Sequence, residues 1–166
     1  SDAVYSTLED GSIERVSTWA NGYIEIHKYS VLDDGALSHT IADGNGDLFK
    51  ATTKSYDVDN TETKVVNYLD EDGTSVGTYV DGVEMEYIQT YTADTGTGNM
   101  KGDVVTYSFD PDSLETTQIF VNANGTSQVF VMDADADGKA NFDSSILLGA
   151  GTHSTTNGTL TLDLTL

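Results

Sequence analysis

The chain of 166 residues has no cysteine, which removes disulfides, thiolate metal centres and a cysteine nucleophile at the outset. Basic residues are nearly as scarce, with seven lysines and arginines against 28 aspartates and glutamates, a formal net charge of −21. That balance excludes nucleic acid as a partner, because binding phosphate needs a basic footprint. It disfavours an anionic membrane surface for the same reason. No apolar run approaches the roughly 18 residues of a spanning helix, so no membrane insertion is expected. Catalytic signatures are missing too: there is no Gly-x-Ser-x-Gly elbow, no His-Glu-x-x-His pair and no phosphate-cradling glycine loop. The three histidines, His27, His39 and His153, belong to no recognisable motif. A protein that is not an enzyme is expected.

What the chain has in abundance is turn punctuation. Asx-Gly pairs occur at Asp10-Gly11, Asn21-Gly22, Asp34-Gly35, Asp43-Gly44, Asn45-Gly46, Asp72-Gly73, Asp81-Gly82, Asn124-Gly125, Asp137-Gly138 and Asn157-Gly158, and such pairs suit the positive-φ positions of tight hairpins. Between them lie short, often alternating runs rich in Val, Ile, Thr and Tyr, which read as strands. Strands are expected at 12–19, 22–31, 37–41, 48–57, 62–69, 75–80, 83–91, 103–109, 117–121, 126–132 and 158–166. Only 112–115, after the single proline Pro111, and 143–148 could form a turn of helix. The short connections favour an all-β fold, an antiparallel β-sandwich or meander, as a single domain over 1–166. A compact domain of this size buries roughly 70% of its unfolded surface.

One stretch sets three carboxylates at alternate positions and ends in a sharp turn: Asp133-Ala134-Asp135-Ala136-Asp137-Gly138, followed by Asn141 and Asp143. Carboxylates held this close repel, and the spacing makes physical sense around a hard cation with oxygen ligands. Asp133, Asp135, Asp137 and Gly138 resemble the start of the EF-hand calcium loop and of its shortened relatives in dockerins, thrombospondin repeats and integrin-type propellers. The resemblance covers about eleven residues and implies Ca²⁺ held by Asp133, Asp135, Asp137, Asn141 and Asp143. It departs from the EF-hand at the twelfth position, which is Ser144, and in its approach, Val129 to Met132, which reads as a strand. An acidic hairpin tip without metal is the alternative. Gly44-Asn45-Gly46-Asp47 resembles one turn of the glycine-rich calcium repeats of bacterial type I exported proteins, and equally a tight hairpin loop.

Two strand faces stand out. In 23–29, alternation puts Tyr23, Glu25, His27 and Tyr29 on one side, a set that could bind a sugar or form the wet side of a half-buried strand. In Glu84-Met85-Glu86 it puts two carboxylates on one face, about 6 to 7 Å apart, a separation comparable to that of glycosidase carboxylates. Two Asn-Gly-Thr sequons, at Asn124 and Asn157, fall on expected turns. The end of the chain places Leu160, Leu162, Leu164 and Leu166 at every second position, a stripe that closes its own sheet or adds to a neighbour's edge.

The chain opens at Ser1 without methionine, from which a removed leader and export are expected. An acidic, cysteine-free protein gains from divalent cations and salt, which screen its self-repulsion. The expected role is that of an exported, calcium-stabilised structural or adhesive protein at a bacterial or archaeal cell surface, a homo-oligomer assembled by strand addition. A calcium-dependent carbohydrate-binding module, with a cell-surface glycan as partner, is the runner-up, and a secreted hydrolase the third. An exposed aromatic platform is the feature that distinguishes the runner-up.

Overall fold

The computed structural model describes residues 1–96 and 98–165. Thirteen strands follow one another in space in the order of the sequence, each antiparallel to the next, in one open sheet that does not close into a barrel. They are β1 (Asp2–Thr7), β2 (Ile13–Thr18), β3 (Ile24–Val31), β4 (Leu37–Asp43), β5 (Leu48–Tyr56), β6 (Glu62–Leu69), β7 (Gly73–Val80), β8 (Val83–Tyr91), β9 (Val104–Asp110), β10 (Glu115–Val121), β11 (Thr126–Asp133), β12 (Ile146–Thr156) and β13 (Thr159–Thr165). Of the two arrangements the sequence leaves open, this is the meander.

The accessible surface is 10500 Å², against roughly 8000 Å² for a compact protein of 17.8 kDa by the usual size scaling. The excess follows from the single layer, which leaves much of both faces in contact with water. Buried apolar side chains are accordingly few: Ala36, Val66, Val105, Phe109, Val129 and Met132 among the described residues. The burial expected of a compact domain is therefore not reached.

Short tips hold the meander in register. Eight of them repeat one five-residue geometry, in which the first N–H donates to the fifth carbonyl and the fourth N–H donates back to the first carbonyl. They start at Leu8, Trp19, Leu32, Asp43, Asp57, Thr95, Asn122 and Asp135. The fourth residue is left-handed in each, from φ 64° at Asn60 to 100° at Gly98, as a three-residue hairpin loop with a bulge requires. The tighter tips Asp81-Gly82 and Asn157-Gly158 have positive φ at both residues, the twist that matches flanking strands.

The structure departs from the sequence reading at several places. Strands β1 and β12 occupy stretches without an expected strand. The stretch 112–115 lies in a loop and the start of β10, and 143–148 gives only a 3-10 turn, Phe142–Ser144, before β12 begins. In the terminal strand, Leu160 is exposed and Leu162 and Leu164 are half-buried, so the stripe is not sunk in a core; Leu166 lies outside the described residues. It pairs with β12 alone. The register shifts between Thr78 and Tyr79, so that Glu84 faces Tyr79 while Glu86 faces Thr78. That bulge sends the two carboxylates to opposite faces and dissolves the expected pair.

Candidate functional site

Residues paired directly across antiparallel strands share a face, and following the pairs across the sheet sorts the chain sharply. One face carries Tyr5, Tyr29, Tyr56, Tyr68, Tyr79, Tyr87, Tyr91 and Tyr107, eight of the nine tyrosines. It also carries Arg15, Lys50, Lys54 and Lys64, four of the seven lysines and arginines, and His27 and His39. The opposite face is made of smaller side chains such as Val16, Ile26, Thr40, Thr53, Val65, Val76, Ile88 and Ile119. Most acidic residues are on neither face but at the hairpin tips.

The centre of the open part of this tyrosine face is a cluster on β2, β3 and β4. Arg15 Nη2 lies 3.1 Å from His27 Nε2, and His27 Nδ1 and His39 Nε2 lie 3.0 Å apart. The Glu25 carboxylate is 3.3 Å from the same His27 Nε2. Tyr29 stacks on His39 with ring centroids 4.4 Å apart and planes 9° from parallel. Partial burial holds the His39 pKa below its usual value, helped by the nearby His27, Lys50 and Arg15.

From there the pattern runs on across neighbouring strands. The Lys50 ammonium lies 4.9 Å from the Tyr68 ring centroid and that of Lys64 4.4 Å from Tyr79, cation–π contacts of useful strength on a half-wet surface. Tyr79 covers Gly77, where a Cβ would stand 2.9 Å from the ring. A hydrogen bond to Glu84 pushes the Tyr79 hydroxyl pKa up to about 12. Glu62 accepts from Tyr56 at 2.6 Å and from Lys54 at 3.2 Å, and these two donors lower its pKa. A groove of about 410 Å³ opens between Tyr29, Val31, Leu37, His39, Thr52 and Lys54.

The far part of the same face is covered. The hairpin after β11 folds back over β8 to β10, so that a Cβ at Gly138 would stand 2.9 Å from the Glu84 carbonyl oxygen and 3.2 Å from Phe109 Cδ1. Phe142 meets Tyr107 edge-on, centroids 6.2 Å apart. Beneath lie Met132, Phe109 and Val105, and the Gln118 amide donates to the Tyr107 hydroxyl at 2.6 Å. A cavity of about 500 Å³ remains between this hairpin and the sheet, lined by Tyr87, Tyr107, Phe109, Thr116 and Phe142.

The residues expected to hold calcium are all in this folded-back hairpin. Asp133 and Asn141 face each other across it, the Asn141 N–H donating to the Asp133 carbonyl at 2.7 Å, and Ala134 and Ala140 form a bridge. Asp135 Oδ1 accepts from the N–H groups of Asp137 and Lys139, at 3.0 and 2.9 Å. Asn141 caps the 3-10 turn by accepting from Asp143 N–H. Asp133, Asp135, Asp137, Asn141 and Asp143 are all exposed. Among the described residues, no three acidic or imidazole groups are gathered closely enough to hold an ion. Asp43 and Asp57 close their tips as Asp135 does, and Asp10 and Asp34 use the third position of theirs. Turn closure thus accounts for many of the acidic tips, the Gly44 to Asp47 loop included.

No protein-family model matches the chain, and neither the curated proteins nor the solved structures searched contain a match. Sequence reasoning found Glu25, His27 and Tyr29 but missed Arg15, His39, Lys50, Lys54, Lys64, Tyr68 and Tyr79. The available signal was alternation within 50–56 and 62–68, which places Lys50 and Lys54 on the same side as Tyr56, and Lys64 on the same side as Tyr68; Arg15 has no such neighbour in 13–17. Strand register is what joins these stretches into one surface.

Proposed function

We propose that this chain is a non-catalytic structural or adhesive sheet of an exported, cell-surface protein that holds a carbohydrate polymer on its tyrosine face. One observation carries the reading: eight tyrosines, all but Tyr87 and Tyr107 clear of the 133–143 hairpin, and most of the scarce cations are gathered on a single face of an open sheet, as the runner-up expectation of an aromatic platform requires. An open face with a shallow groove beside Tyr29 and Lys54 suits an extended chain more than a small molecule. Tyrosines offer sugar rings a broad apolar face with a hydroxyl at its edge, and Glu25, Glu62 and His39 add hydrogen-bonding groups for sugar hydroxyls. Calcium at the 133–143 hairpin belongs to the same reading, with Asp133, Asp135, Asp137, Asn141 and Asp143 as the ligands that would have to draw together around it. The test is co-sedimentation with insoluble cellulose, chitin and calcium-gelled pectin, comparing the protein with its Tyr29→Ala/Tyr68→Ala variant. Retention on at least one polymer, lost in the variant, supports the reading; equal retention of the two proteins, or none, refutes it.

Assembly by strand addition is favoured by a separate observation. Strands β1 and β13 each pair on one side only, and neither contains proline or lysine, the usual guards of a sheet edge. An edge of one copy meeting the other edge of the next would propagate as a filament. Sedimentation of the protein over a range of concentrations tests this.

A further inference from the structure

We infer that the polymer held on the tyrosine face is an acidic polysaccharide, a sugar chain bearing carboxylate or sulfate groups, bound across strands β2 to β6 with Arg15, Lys50, Lys54 and Lys64 meeting its charges. The inference rests on the reading of this face as a carbohydrate surface and adds the sign of the ligand. A chain of net charge −21 has only seven lysines and arginines, and placing four on one face of five neighbouring strands serves an anionic partner and not a neutral one. Of the other three, Lys28 bonds Asp10 at 2.7 Å from the opposite face, and Lys101 and Lys139 are in loops.

The net charge does not forbid this. The carboxylates of the tips line the two long margins of the sheet, separated by strands of six to nine residues, roughly 20 to 30 Å. The screening length is about 8 to 10 Å at physiological salt, so the middle of the face has its own local sign. A single narrow chain laid across the strands stays between the two margins and spans five strands over roughly 19 Å. Arg15, His27, Lys50 and Tyr68 lie in one row across the strands, the Tyr29 and His39 stack in the next row, and Lys54 and Lys64 in the row beyond, with Tyr79 of β7 at its end, a patch about 13 Å wide along the strands. Lys54 stands at the groove beside Leu37.

A single-stranded nucleic acid is the competing polyanion, and the face fits it less well. Its affinity comes chiefly from many neutralised phosphates, whereas here Glu25 and Glu62 are interleaved with the cations. Mixed signs suit a ligand with hydroxyl donors as well as charges. Lys54 is already shared with Glu62 at 3.2 Å, so one of the four cations meets the ligand with a carboxylate beside it.

The experiment is equilibrium binding of the full chain at 0.1 M salt to five soluble probes: polygalacturonate, its methyl ester, dextran sulfate, dextran and oligo(dT). Expected is binding to polygalacturonate, dextran sulfate or both, at least tenfold tighter than to the uncharged counterpart of the same backbone. Which of the two binds identifies carboxylate or sulfate. Lys50→Gln/Lys54→Gln/Lys64→Gln should weaken that binding tenfold or more, and Lys28→Gln should leave it unchanged. Should the triple variant not fold, amine acetylation of the native protein gives the same answer: the bound polymer should protect Lys50, Lys54 and Lys64 but not Lys28. Equal binding of charged and uncharged forms leaves the carbohydrate surface standing and overturns its acidic ligand. Tighter binding of oligo(dT) than of either anionic sugar overturns it in favour of nucleic acid. Binding to none of the five overturns both readings, and protection or weakening at Lys28 alone moves the site to the other face.

Discussion

Strands β2 to β7 and strands β8 to β11 present the same face of the same sheet, yet they keep it out of water by different means. In the first region nothing lies above the sheet, and long amphipathic side chains cover it themselves: Lys50 reaches over Tyr68, Lys64 over Tyr79, and Tyr29 lies against His39. In the second, the hairpin of residues 133–143 supplies a lid, and the side chains beneath become dry, with Met132 at 2%, Thr116 at 3% and Phe109 at 8% exposure. Long stems that bury their methylenes while keeping charged heads wet need no second layer. The difference teaches that a single-layer sheet dries its smaller side chains, such as Val66 at 7% exposure, under their own neighbours, buries side chains as large as Met132 and Phe109 where the chain returns over it, and leaves a usable surface where it does not.

The largest effect should come from removing what lies under the lid. Met132→Ala should cost about 2 to 5 kcal/mol, because the residue is buried and neighbours held by two ladders cannot close around the gap. Tyr68→Ala, on the open side and 45% exposed, should cost about 1 kcal/mol, mainly the lost cation–π and cross-strand contacts. Urea unfolding midpoints compare the two directly. Equal losses would mean that the open face is as much a core as the covered one.

Next in size is the lid itself. Gly11 and Gly138 have nearly the same backbone, φ 80° and 79°, so alanine at either carries the left-handed strain of about 1 to 2 kcal/mol. They differ in what surrounds them: a Cβ at Gly11 meets nothing within 4 Å, and one at Gly138 meets the Glu84 carbonyl and Phe109. Gly138→Ala should therefore destabilise by about 1 to 3 kcal/mol more than Gly11→Ala, read as a difference in melting temperature. No difference would mean that the hairpin is not seated on β8 to β10.

How far the sequence disclosed this depends on the range of the signal. Asx-Gly pairs and alternation are local, so the hairpins and the antiparallel meander were legible from them. Strand β12 was not, because its Gly149 and Gly151 look like loop; the reason for them is that Leu164 and the Asp163 carbonyl of the next strand come down on those positions. Strand β1 is exposed along its whole length and owes its form to pairing with β2. The binding face was visible only as a fragment in Glu25, His27 and Tyr29, since His39 and Lys50 join it through register alone. The Asp133 motif shows the converse, a strong local pattern that ladder geometry lays out along a hairpin.

A smaller effect distinguishes the open region by pH. Folded His39 holds its proton more weakly than the ordinary 6.5, so below that value the unfolded chain binds more protons than the folded one. Stability from this source is fully present above about pH 6.5 and falls as pH drops through the lowered folded value. The groups facing His39 are Arg15, His27, Tyr29 and Lys50, and Glu25 balances them in part. Glu62, Asp43 and Asp110 also have lowered pKa values, but their contributions are lost only on further acidification, below their ordinary 4.5 and 3.8. Unfolding midpoints between pH 8 and 5 should decline in the native chain and stay flat in His39→Gln. A variant that declines in parallel would place the proton elsewhere.

The smallest expected effect concerns calcium and separates two roles of Asp135 within the lid. Its Oδ1 accepts from the N–H groups of Asp137 and Lys139, a task that an asparagine oxygen performs as well, whereas a hard cation needs the charge. Asp135→Asn should therefore keep the turn, and Asp135→Ala should lose about 1 kcal/mol with or without calcium. A weak extracellular site, with a dissociation constant on the order of 10⁻⁴ to 10⁻³ M, adds roughly 0.4 to 1.4 kcal/mol in 1 mM calcium. Calorimetry should then show the native chain melting about 1 to 6 °C higher in calcium than in chelator. Asp135→Asn should melt like the native chain in chelator and gain nothing from calcium. If native chain and variant melt alike in both conditions, the carboxylates of this hairpin serve the turn alone, and the lid stands on Phe142 and Gly138 without an ion.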